Sequence, residues 1–194
     1  MMTEVIGGIL GAFGLSVSAG INAYIPLLVV SLLAKFTDLI QLAKPWDALE
    51  SWWTIGVLAV LVVIEAVADK VPVVDHINDA IQTFIRPTAG AILFAASAKS
   101  ITDIHPVLSL VCGLLVAGSV HAAKSVVARP VVDATTAGVG TPVVSTLEDV
   151  FATIVSVLSI LVPILMVIIV FLTIWLIASL INRRRKSETS VNSG

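Results

Sequence analysis

Two stretches of this sequence carry no charged residue, Val5 to Ala34 and Val150 to Asn182. A hydrocarbon core about 30 Å thick is crossed by roughly 20 apolar helical residues. Each run is long enough to span, and longer than the usual helix of a soluble core. With 58% hydrophobic and 12% charged residues, the chain has about half the charge share of a soluble domain. The class implied is all-α, a polytopic membrane helical bundle with roughly four to six membrane segments, some broken or re-entrant. One integral membrane domain covers residues 1–186, and a polar, disordered tail covers 187–194.

The first run is too long for one straight crossing, since at 1.5 Å per residue it reaches about 45 Å. Gly20, Asn22 and Pro26 mark a soft spot within it. One kinked helix, or two half-helices broken near Gly20, would satisfy the pattern. Gly7, Gly11 and Gly14 recur at three- and four-residue steps, which lets helices approach closely in lipid. That face packs on a neighbouring helix and offers a route to oligomers. The only early charge, Glu4, is acidic, so the run reads as mature protein rather than a secretory signal.

Lys35 to Glu50 is a polar connection containing Pro45, and Trp46, Trp52 and Trp53 follow as an interface belt. A span from Thr54 to Lys70 then carries Glu65 and Asp69 in its last turns. Pro72 ends that helix, and Asp75 is placed to cap a short one over Asp75 to Arg86. That segment is two-faced: Asp75, Asp79, Gln82 and Arg86 against Ile77, Ile81, Phe84 and Ile85. It lies in the interface or enters a polar cavity. Arg86-Pro87 and Arg129-Pro130 each close a helix with a histidine upstream, a faint sign of duplication. A further span, Pro106 to Ala128, holds His121 and Lys124, and Pro163 kinks or divides the last run. Arg183, Arg184, Arg185 and Lys186 follow that run. Such a cluster holds the C-terminus in the cytoplasm and can touch anionic lipid of the bilayer; it does not indicate nucleic acid.

The candidate pathway or polar core comprises Asn22, Glu65, Asp69, Lys70, Asp75, His76, Asn78, Asp79, Arg86, His121, Lys124, Arg129, Glu148 and Asp149. Charge at membrane depth is costly and faces a partner or a water-filled path. The competing readings are local. Lys70 can snorkel. Arg86 and Arg129 can satisfy helix-end carbonyls. Ser145 with Glu148, and Thr146 with Asp149, fit capping boxes. Asp69, Asp75, His76, Asp79 and His121 are of ligand type for zinc or manganese, but their spacing matches no tight motif. Cys112 is the only cysteine. No metal, cofactor or catalytic group is expected, and the chain does not read as an enzyme.

Several segments taken together are more specific. They are Gly20 to Leu28 around Asn22 and Pro26, Ala68 to Asp79, Thr83 to Pro87, His121 to Lys124, Arg129-Pro130, and Thr141 to Asp149. Their order and content resemble the bacterial DUF4126 family (domain of unknown function). The resemblance implies an inner-membrane protein of about this size and transfers no catalytic residue. The function expected from the charges is a small transporter or channel-like protein for an ion, a proton-coupled solute or an anionic lipid headgroup. The rival is a non-transporting scaffold whose charges pair with each other, and the third reading is an intramembrane lipid-acting enzyme. A pathway requires the charges to converge on a water-accessible cavity; charges sealed as saturated pairs belong to a scaffold.

Overall fold

The computed structural model describes residues 2–68, 72–99, 104–128 and 140–162, together with Leu172 and Trp175. Among the described residues the chain is all-helical, with six α-helices and no strand. The helices are α1 (Met2–Ile21), α2 (Tyr24–Phe36), α3 (Trp52–Ala68), α4 (Pro72–Lys99), α5 (Pro106–Ala123) and α6 (Thr141–Leu161). A short 3-10 helix, Trp46–Glu50, leads into α3. A π-helical turn, Lys124–Ala128, extends α5.

The first apolar run is two helices. Asn22 makes the break, because its side-chain Oδ1 accepts from the backbone N–H of Tyr24 and of Ile25, both at 3.0 Å. An Asn that caps the following turn offers the backbone an alternative to continuing the helix. Pro26 then falls in the first turn of α2, where its missing N–H costs no helical bond.

The middle of the chain differs from its sequence pattern. Arg86-Pro87 closes nothing: α4 runs unbroken from Pro72 to Lys99 with Pro87 inside. A proline deletes one helical bond and kinks the axis, but α4 packs extensively on α5 and α1, its main partners. Because α4 starts at Pro72, Asp75 lies in its first turn rather than at its cap. Likewise α6 starts at Thr141 with Pro142 in its first turn. That places Ser145 and Thr146 inside the helix, so neither capping box forms. Thr146 instead donates back to the Pro142 carbonyl at 2.8 Å. Arg129-Pro130 and Pro163 lie outside the described residues.

Polarity is inverted relative to a soluble bundle. On α3, Val57, Val60, Val63 and Val67 are exposed while Glu65 is 1% exposed. On α4, Phe84 is 78% exposed and Arg86 0%. The two-faced pattern of α4 holds for Gln82 and Arg86, which are buried, against Ile81 and Phe84, which are exposed. Two helices, Pro106–Val126 and Pro142–Leu161, are long and apolar enough to cross a membrane. Within the apolar 18-residue stretch of each, only 22% and 28% of residues are buried, so most of each helix is left uncovered by the rest of the chain. Trp52 and Trp53 stand exposed at the start of α3, and Trp46 is half-buried. Lys35 Nζ lies 4.7 Å from the Trp52 ring centre and donates to the Glu50 carbonyl at 2.9 Å, tying the end of α2 to the start of α3.

Small residues let the helices close. Leu15, Ala19, Ala23, Val30, Leu93 and Ala117 form the main apolar core. Gly90 of α4 and Gly113 of α5 meet backbone to backbone, and a Cβ on Gly113 would lie 2.8 Å from Ala91 Cα. Gly11 and Gly14 are buried within this one chain, and Gly7 is half-buried.

Candidate functional site

Among the described residues, two polar networks occupy the interior, and they adjoin at the last turn of α5. The first joins α3, α4 and α5. Arg86 Nη2 donates to Glu65 Oε1 at 3.2 Å. Arg86 Nη1 lies 3.1 Å from His121 Nδ1, and His121 Nε2 lies 3.1 Å from Thr83 Oγ1. Arg86, Glu65 and His121 are 0%, 1% and 3% exposed. Helical spacing explains the set: Gln82 and Thr83 lie one turn before Arg86, so all three project toward the neighbouring helices. Tyr24 closes the α2 side, with its hydroxyl near Gln82 and within the field of Glu65 and Arg86.

The second network surrounds the α1–α2 break. Lys124 Nζ contacts Glu148 Oε2 at 2.6 Å and donates to the Ile21 carbonyl at 3.1 Å. A cation thus sits on the carbonyl end of α1, where the helix dipole favours positive charge. Asn22 Nδ2 donates to Asp149 Oδ1 at 2.9 Å. One helical turn deeper, Ser18 donates to the Ala152 carbonyl at 2.8 Å and pairs with the Ser156 hydroxyl. The α1–α6 seam is therefore polar from Asp149 inward.

Of the residues anticipated from sequence, Glu65, Arg86 and His121 meet in the first network. Asn22, Lys124, Glu148 and Asp149 meet in the second. His121 and Lys124 share a turn but serve different helices. Asn78 is half-buried on α4. Asp75, His76 and Asp79 lie in the first half of α4, and their side chains lie outside what the structure describes. So do Asp69, Lys70, Arg129 and the basic cluster from Arg183 to Lys186. Sequence reading missed Tyr24, Thr83 and the Ile21 carbonyl as members. Tyr24 and Thr83 could have been found, since they lie two residues after Asn22 and one turn before Arg86. A backbone carbonyl leaves no signal in composition.

The charges converge, as a pathway needs, but among the described residues the first network meets the surface at Thr83 rather than through its charges. Arg86, Glu65, His121 and Lys124 are all buried. Close packing accompanies this burial: a Cβ on Gly20 would lie 2.6 Å from the Ala117 carbonyl oxygen, so α1 and α5 meet tightly one turn before His121. Asn22 links the break to α6 and sets a test of this network. Asn22→Ala removes the cap of α2 and one donor to Asp149, and is expected to cost about 2 kcal/mol. A lowered melting temperature of the detergent-solubilised protein would show it; an unchanged melt would mean the break is held by packing alone.

A family model described as "Domain of unknown function (DUF4126)" matches residues 9–183. That is most of the chain, which therefore belongs to this family. Neither a curated protein nor a solved structure matches it.

Proposed function

We propose that this DUF4126 protein is a small multi-pass transporter of the bacterial inner membrane, with its C-terminus in the cytoplasm, moving an ion, a proton-coupled solute or an anionic headgroup. One observation carries the reading: three backbone irregularities meet the buried charges in one layer. Asn22 is itself the α1–α2 break. Arg86 directly precedes Pro87. Lys124 opens the π turn and bonds the Ile21 carbonyl across the break. Broken helices with charged groups at their ends are how many secondary transporters build a site at mid-membrane, and π turns concentrate at functional sites. Stability alone does not account for the layer. A buried ion pair is often matched or bettered by apolar residues of similar volume, and each charge at bilayer depth costs about 2.5–3.5 kcal/mol to insert.

The sealing of the charges argues against a permanently open channel. It is compatible with a carrier that alternates, because such a carrier closes its site on both sides during its cycle. The same sealing favours a second reading, a membrane scaffold whose charges only pair with one another. The mechanism on the transporter reading follows from the geometry. Rocking α4 and α5 about Pro87 and the π turn would part Arg86 from His121 and expose Arg86 to an anion or Glu65 to a cation.

Purified protein in proteoliposomes separates the two. Flux of protons, small ions or phosphate-bearing headgroups is expected above that of empty vesicles, and Arg86→Gln and Asp79→Asn are each expected to reduce it about tenfold, the size of a lost charge interaction of roughly 1.4 kcal/mol. Folded protein that moves none of these would leave the scaffold.

A further inference from the structure

We infer that His121 is a proton-binding site of the buried network, and that the proton it accepts releases Arg86 from α5. The inference rests on the transporter reading and supplies it with a coupling species, the proton. Its basis is the balance of donors and acceptors. Arg86 Nη1 lies 3.1 Å from His121 Nδ1. A guanidinium only donates and keeps its charge in proteins. Nδ1 must therefore present its lone pair, which fixes the ring as the neutral tautomer with hydrogen on Nε2. That Nε2–H donates to Thr83 Oγ1 at 3.1 Å. The basic atom of the ring is thus the one that holds Arg86.

A proton from water adds to the Nδ1 lone pair. The Arg86 N–H···Nδ1 hydrogen bond breaks, no covalent bond is lost, and two cations face each other where one faced a neutral acceptor. The surroundings decide which way the pair opens. On the α3 side Arg86 retains Glu65 Oε1 at 3.2 Å, and Tyr24 of α2 lies within the field of both. Along α5, Lys124 is engaged by Glu148 of α6 and the Ile21 carbonyl of α1. Along α4, Asp79 and His76 precede Thr83 by one and two turns. Arg86 stays with Glu65, and α5 moves away from α4. The weak points of the two backbones, Pro87 and the π turn, lie beside the bond that breaks.

The test is nitrogen-15 spectroscopy of histidine-labelled protein in lipid nanodiscs. The chain has three histidines, and the signals that disappear in a His121→Gln variant are those of His121. At neutral pH the expected ring carries hydrogen on Nε2 alone. On acidification, Nδ1 is expected to shift to the protonated range together with a shift of the Arg86 side-chain resonance. Hydrogen on Nδ1 at neutral pH, or a ring and an Arg86 signal that both stay fixed from about pH 4 to 8, would overturn the site. Flux in proteoliposomes reads the coupling separately. Loss of its pH dependence in a folded His121→Gln variant supports coupling, and retention of that dependence overturns it. Titration without any flux would leave the proton site standing and remove the transporter.

Discussion

Arg86→Met is expected to destabilise the protein by about 3–5 kcal/mol, the range for breaking a buried ion pair by removing one partner. Arg86 is fully buried and its guanidinium reaches two helices at once, donating to Glu65 on α3 and holding His121 on α5. Methionine fills much of the volume, so the loss is electrostatic rather than a cavity. What remains is a carboxylate 1% exposed that has lost its guanidinium, and desolvation of such a group is not compensated by packing. The double variant Glu65→Leu/Arg86→Met discriminates the causes. Removing both charges is expected to restore stability to within about 1 kcal/mol of the parent, or beyond it. The cycle then yields a coupling of roughly 2 kcal/mol or more. Arg86→Lys should fall between, because an ammonium keeps the charge but lacks the planar fork that serves two acceptors. Denaturant titration in mixed micelles measures the parent, the Glu65→Leu and Arg86→Met singles, the double variant and Arg86→Lys. A double variant as unstable as the sum of the singles would show that Arg86 acts through shape. If the double variant is stable but moves no solute, the ion pair is kept for function at the expense of stability, which the scaffold reading does not foresee.

That contrast bears on how the chain encodes its site. Membership of the polar layer was legible for Asn22, Glu65, Arg86, His121, Lys124, Glu148 and Asp149 because a charge or amide inside an apolar run is conspicuous. Their pairing was not. Glu148 and Asp149 stand three residues beyond Ser145 and Thr146, which is the capping-box spacing, and local pattern cannot reveal that Pro142 starts the helix a turn earlier. Lys124 and Asn22, more than a hundred residues upstream in the case of Asn22, then claim the two acids. The break in the first run was readable near Gly20 because Asn22 and Pro26 act locally. The continuity of α4 was not, because the packing that carries a helix through Pro87 belongs to α1 and α5 and leaves no mark near residue 87. Amphipathicity showed that α4 has two faces; only the exposure of Phe84 and burial of Arg86 show which is inside.

The small residues carry the second large expected effect. Gly7, Gly11 and Gly14 attract attention in the sequence by their repetition, yet a backbone-to-backbone contact lies elsewhere, between Gly90 and Gly113. Gly113→Ala is expected to cost about 3 kcal/mol, the upper end for overpacking, and Gly113→Leu to prevent assembly of α4 on α5. The added Cβ would meet Ala91 Cα at 2.8 Å and Phe94 Cβ at 2.7 Å, with the Gly90 carbonyl closer still. Two of these three are backbone atoms, so no rotamer change relieves the clash and the helices themselves must part. Other glycines of the same chain grade the claim. Gly118→Ala would bring its Cβ to 3.6 Å from Pro87 Cγ, an ordinary contact, and should be near neutral. Gly56→Ala has nothing within 4 Å and should gain about 0.5–1 kcal/mol, since Ala loses less backbone freedom in a helix. Melting temperatures of the three variants in detergent are expected in the order Gly56→Ala, Gly118→Ala, Gly113→Ala. Equal melts would mean that α4 and α5 do not cross at this point. The site feels the same change: Gly90 lies one helical turn from Arg86, and Gly113 two turns before His121. Separating the helices there lengthens the Arg86–His121 bond. A Gly113→Ala protein that still folds should therefore lose the coupled shift of the Arg86 and His121 resonances while keeping its helical content.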